Sequence, residues 1–425
     1  MPGDLRRDRS GGHQRVTNIE LFFDLVYVFA VTQLSHYLLR HLTLDGALRV
    51  ALLLVMVWLL WVYTTWVTNW LDPERIPVRL LLLGLMLVSL VMSAGLPQAF
   101  GNGGLLVGGA YAVMQAGRSA FTVWALPAGS LRRNFERILC WCCVSGGLAV
   151  AGGLARPGAR EVLWLAAVGV DLAGGAAGFW TPGLGRSRSR EWNIDGGHLA
   201  ERCQAFILIA LGESLVVIGA TLAGLLSGPL AGPHARPWPY IAAFVLAFGG
   251  SAGLWWVYFD RSAEASAQAI ARSADPGALG RSAFHTIHPV MVAGIIVVAA
   301  ADDIVLSEPG ARAGLATALL ILGGTGLFLA GHAAFKAVVW RTVPVPRLAA
   351  LAALALLGLL APHVTVLALA ACADAVVIGV VVADRLTEPP EADSEASLDA
   401  QATQEETAGH GTAKIRSRLR RSRRR

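Results

Sequence analysis

Long apolar blocks separated by short polar segments are the dominant pattern along the chain. About twelve blocks reach the length of roughly 20 residues that lets an α-helix cross the hydrocarbon core of a bilayer. The pattern predicts an all-α polytopic membrane protein with about 12 transmembrane helices. The eleventh block is short and is followed by Pro362, which leaves open a re-entrant segment or half of a tight hairpin. The predicted spans lie near residues 19–39, 46–69, 79–100, 104–126, 135–154, 161–181, 198–226, 239–259, 284–305, 312–332, 348–361 and 364–384.

The amino-acid composition excludes a soluble globular protein. Hydrophobic residues make up 55% of the 425 residues and charged residues only 15%, which leaves too little charged surface to face water. The formal net charge is +6. Because the basic residues lie between the spans and in the C-terminal tail, this charge indicates membrane topology and does not indicate binding of nucleic acid.

The distribution of basic residues predicts the orientation of the chain. With the N-terminus in the cytoplasm, 28 of the 35 Lys and Arg residues fall in cytoplasmic segments, six fall in outer segments and Arg118 lies within a span. Cytoplasmic loops of membrane proteins carry an excess of Lys and Arg. We therefore expect an even number of spans, a multi-pass protein in the lipid bilayer of the cell membrane, and both termini in the cytoplasm.

Five regions follow from these patterns. They are a cytoplasmic N-terminal segment (1–18), a first six-helix half (19–181), a cytoplasmic linker (182–197), a second six-helix half (198–386) and a cytoplasmic tail (387–425). The tail has too few apolar residues to form a core, so we expect it to be disordered. Its Arg-rich end is expected to contact anionic lipid, and the alternative is that its charge only sets the topology.

Ionisable residues inside the spans are the first candidates for function, because they are costly to bury and are usually functional or paired. Glu20 and Asp24 are four residues apart in the first span and share one helix face. In the seventh span, Glu201 and Arg202 lie at the cytoplasmic edge and Glu213 lies deeper. Small residues on the face that carries Glu213 favour the close approach of another helix, so Glu213 is expected to face protein.

Several of these features occur twice in the chain. Asp24 precedes Thr32 by eight residues, and Glu213 precedes Thr221 by the same interval. The sixth and twelfth spans each carry an acid in mid-span among Ala, Gly and Val, namely Asp171 and Asp374. Because six spans is an even number, a duplication would produce two parallel six-helix repeats.

Histidines near the predicted cytoplasmic face are the second set of candidates. His198 opens the seventh span, His285 and His288 open the ninth, and His332 closes the tenth. Histidines at i and i+3 on one helix can bind a metal ion. An HExxH motif and a second Cys/His cluster are both missing, so a protonatable or hydrogen-bonding role is favoured and metal binding stays open. No cofactor motif is visible, and we expect no cofactor.

Three segments of the chain carry a family resemblance. They are ELFFDLVYVFAVTQLSH from Glu20, HLAERCQAFILIALGES from His198 and HTIHPVMVAG from His285. In their order and spacing they resemble the bacterial low temperature requirement protein A family. The resemblance covers residues 16 to about 385 and implies a bacterial membrane protein that uses these motif residues. The third motif departs in part, with Asp302-Asp303 where the family often has Gly-Glu.

The buried acids favour a transporter or channel for protons, cations or a small solute, since a carboxyl in a low dielectric can exchange protons. In this hypothesis Asp24 and Glu213 form the ion-contacting pair, and Arg202 is the counter-ion of Glu201 or Glu213. Alternatively, the acids only fix the packing of helices. A membrane-embedded enzyme that acts on lipid or envelope precursors through its histidines and a non-catalytic scaffold in cold adaptation are further alternatives. Neither a substrate nor an oligomeric state is predicted.

Overall fold

Twelve long α-helices make up most of the part of the chain that the structure describes, as the hydrophobic pattern predicts. The computed structural model describes residues 5–7, 15–187, 195–228, 236–260 and 279–387, together with residues 230 and 269. β-structure in these ranges is confined to isolated bridges. The helices are α1 (Asn18–Arg40), α2 (Leu44–Trp70), α3 (Ile76–Gly95), α4 (Gly104–Ala125), α5 (Ser130–Leu154), α6 (Ala159–Ala177), α7 (Gly196–Ser227), α8 (Trp238–Phe259), α9 (His288–Ser307), α10 (Leu315–Trp340), α11 (Val345–Leu360) and α12 (Val366–Thr387).

Ten helical segments in this part of the chain are long and apolar enough to cross a membrane. The short eleventh span is among them, because a 3₁₀ turn extends α11 to Val345–His363. The helices α4 and α6 are not among the ten. Both carry buried polar side chains, which lower their mean hydropathy. At 1.5 Å per residue, α4 is about 33 Å long and α6 about 28 Å long, so each still has a length close to the thickness of the hydrocarbon core.

Helices from both predicted halves belong to one compact unit, which runs from Met1 to Ile378. Within it, α1 packs against α3 and α3 against α4, while α7 packs against α9 and α9 against α10. This equivalent order of contacts supports the duplication, which remains a proposal. The second unit runs from Gly379 to Arg425, and its described part is the end of α12. The disorder and lipid contact expected for the tail lie outside the described residues.

Glycines allow α9 and α10 to approach each other at backbone distance. A Cβ atom at Gly294 would lie 2.5 Å from the backbone nitrogen of Phe328, and one at Gly324 would lie 2.8 Å from that of Val298. Small residues at helix contacts in membranes permit such close packing. The position of the acidic C-terminal end of α9 is therefore tied to α10.

A π-helical turn, Arg281–Ile287, leads into α9. In an α-helix, the N–H of residue 289 would donate a hydrogen bond to the carbonyl of His285. Pro289 has no N–H group, so that carbonyl lacks this partner. Nε1 of Trp58 on α2 donates to that carbonyl at 2.9 Å. The start of α9 is thereby held against α2, and π-helical turns are frequent beside functional sites.

The N-terminal segment pairs with the end of α2. The N–H of Arg7 donates to the carbonyl of Trp70 at 2.9 Å, and the carbonyl of Leu5 accepts from the N–H of Asp72 at 2.9 Å. The side chain of Leu5 is buried. This pairing places the guanidinium of Arg7 beside the first turn of α1.

Candidate functional site

Asp24 on α1 and Arg202 on α7 form a buried ion pair. Nε of Arg202 donates to Oδ2 of Asp24 at 2.9 Å, and Nη2 donates to Oδ1 at 2.5 Å. Nε1 of Trp61 on α2 donates to the same Oδ1 at 2.6 Å. Both charged side chains are fully excluded from solvent. A guanidinium that binds a carboxylate through two bonds makes a strong and oriented contact, so the charge of Asp24 is compensated and its position is fixed.

Glu20, one turn before Asp24, binds the same guanidinium. Its Oε1 accepts from Nη1 of Arg202 at 3.2 Å and lies 2.9 Å from Nε2 of His198. Its Oε2 accepts from Nη2 of Arg7 at 2.6 Å and from the N–H of Thr17 at 3.0 Å. Two carboxylates therefore face two guanidinium groups, as burial of charge requires. We call this group the Arg202 cluster (Arg7, Glu20, Asp24, Trp61, His198 and Arg202).

A helix cap places the α7 residues of the Arg202 cluster. Asp195 is the N-cap of α7, and its Oδ1 accepts from the N–H groups of Gly197 at 3.0 Å and His198 at 3.2 Å. Such caps satisfy N–H groups that have no partner inside the helix. Asn69 at the end of α2 holds the cap through two hydrogen bonds with the backbone of Asp195, at 2.9 and 3.0 Å. The first turns of α7 are therefore presented to α1.

Glu213 contacts α1 at a different level. The hydroxyl of Thr32 donates to Oε1 of Glu213. Because Asp24 contacts Arg202 and the later Thr32 contacts the later Glu213, α1 and α7 run parallel. Thr32 lies about 12 Å further along α1 than Asp24, at 1.5 Å per residue. The pair predicted from the sequence, Asp24 with Glu213, is thus found at two separate levels of one interface, and each acid has its own partner.

A third polar contact follows on α7. Oγ1 of Thr221 donates to Oδ1 of Asp303 on α9 at 2.6 Å. From Arg202 to Thr221 the helix rises by about 28 Å, close to the thickness of a hydrocarbon core. We call these three contacts the α7 polar column (Arg202–Asp24, Glu213–Thr32 and Thr221–Asp303).

The partners of Arg202 differ from the sequence prediction. The prediction gives it Glu201 or Glu213 as counter-ion, whereas the carboxylates that it contacts belong to Glu20 and Asp24. Glu201 accepts a hydrogen bond from a backbone N–H of the N-terminal segment at 3.0 Å. Neighbours in a helix sequence point in different directions, so adjacency in the chain was a poor guide to pairing.

Asp171 on α6 lies in a separate buried network of the first half. Its Oδ2 accepts from the hydroxyl of Tyr111 and, at 2.7 Å, from Nε2 of Gln115, both on α4. Oε1 of Gln115 accepts from Nη2 of Arg118, whose Nη1 donates to the carbonyl of Leu60 at 3.2 Å. A neutral amide therefore links the carboxylate to the guanidinium. The sequence assigns no role to these α4 residues. Arg118, a charged residue within a predicted span, was the feature that could have pointed to them.

Asp374 on α12 lines a small cavity of about 20 Å³ that Asp302 on α9 also lines. Oδ2 of Asp302 is buried and has no hydrogen-bond partner among the described residues. No basic side chain is found among the described residues that line this cavity. Asp171 and Asp374, which occupy matching places in the two predicted halves, thus have different surroundings: the first accepts hydrogen bonds from α4, and the second faces a cavity.

The four predicted histidines lie in different places. His198 belongs to the Arg202 cluster, and His285 lines a cavity of about 50 Å³. His288 and His332 both lie near Tyr258, whose hydroxyl is 2.8 Å from Nε2 of His288 and whose ring centroid is 6.3 Å from that of His332. Within the described ranges, no three His, Cys, Asp or Glu side chains are placed to hold a metal ion.

Comparison with known proteins extends the resemblance beyond the motif segments. The family model described as bacterial low temperature requirement A protein matches residues 15–382. An uncharacterized protein of Rhizobium meliloti is 38% identical over 328 residues, which cover 76% of this chain and 78% of that protein. Together with the ten helical segments long and apolar enough to span a membrane, these matches show that the chain is a multi-pass membrane protein of the bacterial low temperature requirement A family.

Proposed function

We propose that this protein is a transporter or channel for protons, cations or a small solute in the bacterial cell membrane, with both termini in the cytoplasm. The observation that carries the proposal is the α7 polar column. It provides ionisable and hydroxyl groups at three levels over about 28 Å of a helix that is otherwise apolar in this stretch apart from Gln204 and Ser214. Helix packing alone does not need such groups, since α9 and α10 pack closely through glycines. A membrane-wide series of polar contacts is therefore better explained by passage of a polar or charged species.

Within the column, we assign proton or cation exchange to Glu213. Asp24 is bound by Arg202, so neutralising Asp24 would leave the Glu20 carboxylate alone to balance the two guanidinium groups of the Arg202 cluster. Glu213 is buried but forms no salt bridge among the described residues, and its partner is the hydroxyl of Thr32. A hydroxyl group can donate and accept hydrogen bonds. The contact with Thr32 can therefore persist in both charge states of Glu213.

An aromatic layer, which includes Trp61 of the Arg202 cluster, follows Arg202 along α7 and precedes Glu213. Phe206 lies one turn after Arg202, and its ring centroid is 4.7 Å from that of Trp61 and 5.3 Å from that of Trp58. These rings are buried and closely packed. We propose that this layer closes the pathway in the conformation described, with the Arg202 cluster as its fixed base.

Ion flux into proteoliposomes tests the proposed function. Protein reconstituted with pH-sensitive and ion-sensitive dyes inside the vesicles is expected to dissipate imposed gradients of H⁺, Na⁺ or K⁺. Glu213→Gln is expected to lower the flux at least tenfold, because the exchangeable charge is removed while the shape is kept. Asp45→Asn is the control, since the Asp45 side chain is 71% exposed. Absence of flux in the wild type, or equal flux in Glu213→Gln, would refute the proposal.

A further inference from the structure

The cavity between α8, α9, α10 and α12 contains two acids and lies outside the α7 polar column. Asp302 and Asp374 line it together with Thr325 of α10. The other described lining residues are Ala, Gly, Val, Leu and Ile. The two carboxyl groups are therefore the only titratable groups among the described residues that face this space.

Asp302 is the unsatisfied group of this cavity. Its side chain is more than nine-tenths buried, and its Oδ2 has no hydrogen-bond partner among the described residues. A buried polar atom left without a partner costs about 1–3 kcal/mol, and more when it is charged. Asp374 is within electrostatic range of Asp302, and two negative charges in a low dielectric repel each other. A positive ligand between the carboxylates would remove both penalties.

Gly250 on α8 makes room for the second carboxylate. A Cβ atom at Gly250 would lie 2.7 Å from Oδ1 of Asp374. The carboxylate therefore rests against bare backbone, and a methyl group at this position would force it to move. The adjacent Gly249 offers a comparison, because a Cβ atom there meets nothing within 4 Å.

The geometry points to a cation-exchange site in which Asp302 and Asp374 share one proton at rest and release it when a monovalent cation of the Na⁺ class binds. The donors are carboxylate oxygens and the Thr325 hydroxyl, and oxygen ligands suit hard cations. The exchange is balanced: one carboxyl O–H bond breaks, the proton leaves to water, and the cation takes its place between two carboxylates. The net charge of the site is −1 before and after.

This site lies at the same level of α9 as the third contact of the α7 polar column. Asp303, the residue after Asp302, belongs to the α7 polar column through Thr221. The inference deepens the proposed function by naming a cation and its place, yet cation binding can be measured without any transport. Ca²⁺ is the comparison ion, because it takes six to eight oxygen ligands and the two carboxyl groups and the Thr325 hydroxyl offer five.

Binding of ²²Na⁺ to the purified full-length protein in detergent tests the site. We expect saturable binding at pH 8, weaker binding at lower pH, and release of about one proton per Na⁺ in weakly buffered solution, as like-charge carboxyl pairs retain a proton. Asp302→Asn and Asp374→Asn are each expected to lower the affinity at least tenfold. Gly250→Ala is expected to weaken binding, and Gly249→Ala to leave it unchanged.

A second measurement uses the wild type alone, so that misfolding of a variant cannot decide the outcome. A hydrophobic carbodiimide reacts with protonated carboxyl groups, and mass spectrometry identifies the labelled residue. We expect labelling of Asp302 or Asp374 that Na⁺ prevents and that the same concentration of Ca²⁺ does not. Labelling elsewhere only, no protection by Na⁺, or undiminished ²²Na⁺ binding in a folded Asp302→Asn variant overturns the site.

The site and the proposed function can fail separately. Normal ²²Na⁺ binding that is lost in the Asp302 and Asp374 variants, combined with no flux in wild-type vesicles, upholds the site and rejects transport. Flux that Glu213→Gln abolishes, combined with no saturable binding of Na⁺ or Li⁺, rejects the site and upholds transport.

Discussion

Asp24 and Arg202 are 178 residues apart in the chain and are joined by two hydrogen bonds of 2.9 and 2.5 Å. They belong to the first helices of the two predicted halves, so the ion pair joins those halves at a buried interface. A carboxylate bound in this way is a poor candidate for exchanging an ion, because its neutralisation leaves the Glu20 carboxylate alone to balance two guanidinium groups. The contact instead fixes the parallel arrangement of α1 and α7 on which the α7 polar column depends.

Asp24→Asn is expected to destabilise the protein by roughly 3–5 kcal/mol, the cost of breaking a buried ion pair on one side. The measurement is the thermal unfolding midpoint of purified protein in detergent, followed by tryptophan fluorescence. Asp45→Asn, which changes an exposed surface pair, is the control and is expected to change stability by less than about 1 kcal/mol.

The double variant Asp24→Asn/Arg202→Gln separates loss of charge balance from loss of shape. It is expected to be more stable than Asp24→Asn alone, because the Arg202 guanidinium is removed together with the Asp24 carboxylate that it binds. If the double variant were as unstable as the sum of the two single variants, the pairing of these charges would not be the source of the stability.

Arg160 at the start of α6 is expected to stabilise the ends of its neighbouring helices. Its guanidinium donates to five backbone carbonyls, at 2.7–3.3 Å, which are those of Ala99, Gly101, Gly152, Gly153 and Ala155. Carbonyls at a helix C-terminus have no partner inside the helix. Arg160→Met is therefore expected to cost roughly 2–4 kcal/mol in the same unfolding measurement, since bonds to charged groups contribute about 1.5–3 kcal/mol each and are not additive.

Arg160→Lys distinguishes hydrogen-bond geometry from charge. Lysine keeps the charge but has only three donors and lacks the planar fork, so it is expected to recover less than half of the lost stability. Arg156→Met at a nearby exposed position serves as the control. Full stability in Arg160→Lys would show that charge alone matters at this position.

Gly294→Ala tests the close packing of α9 on α10. The added Cβ atom would lie 2.5 Å from the backbone nitrogen of Phe328, so the helices must separate, at a cost of about 1–3 kcal/mol for overpacking. The matched control is Gly323→Ala on α10, where a Cβ atom meets nothing within 4 Å. That change is expected to be neutral or stabilising by up to about 1 kcal/mol, because alanine favours helix more than glycine. Equal stability of the two variants would argue against backbone-distance packing.

The sequence by itself determined the helices and the candidate acids. A bilayer requires every backbone polar group to be hydrogen-bonded within the protein, and apolar blocks of roughly 20 residues have the length of spanning helices. All twelve predicted spans overlap a helix in the described part of the chain. An ionisable residue in an apolar block stands out for the same reason. Asp24, Glu213 and Asp171 were found in this way, and all three are buried.

Only the tertiary structure decided which of these residues meet. Arg202 pairs with the two acids of α1 and not with its own neighbour Glu201, and Asp302 shares a cavity with Asp374 of α12. Partner choice depends on the rotation of each helix and on the depth at which glycines let helices approach. Periodicity along one helix shows which residues share its face, whereas the facing helix is selected by packing of the whole bundle. For that reason the sequence pointed to Asp24 and Glu213 as a pair, and the structure placed them at separate levels of one interface.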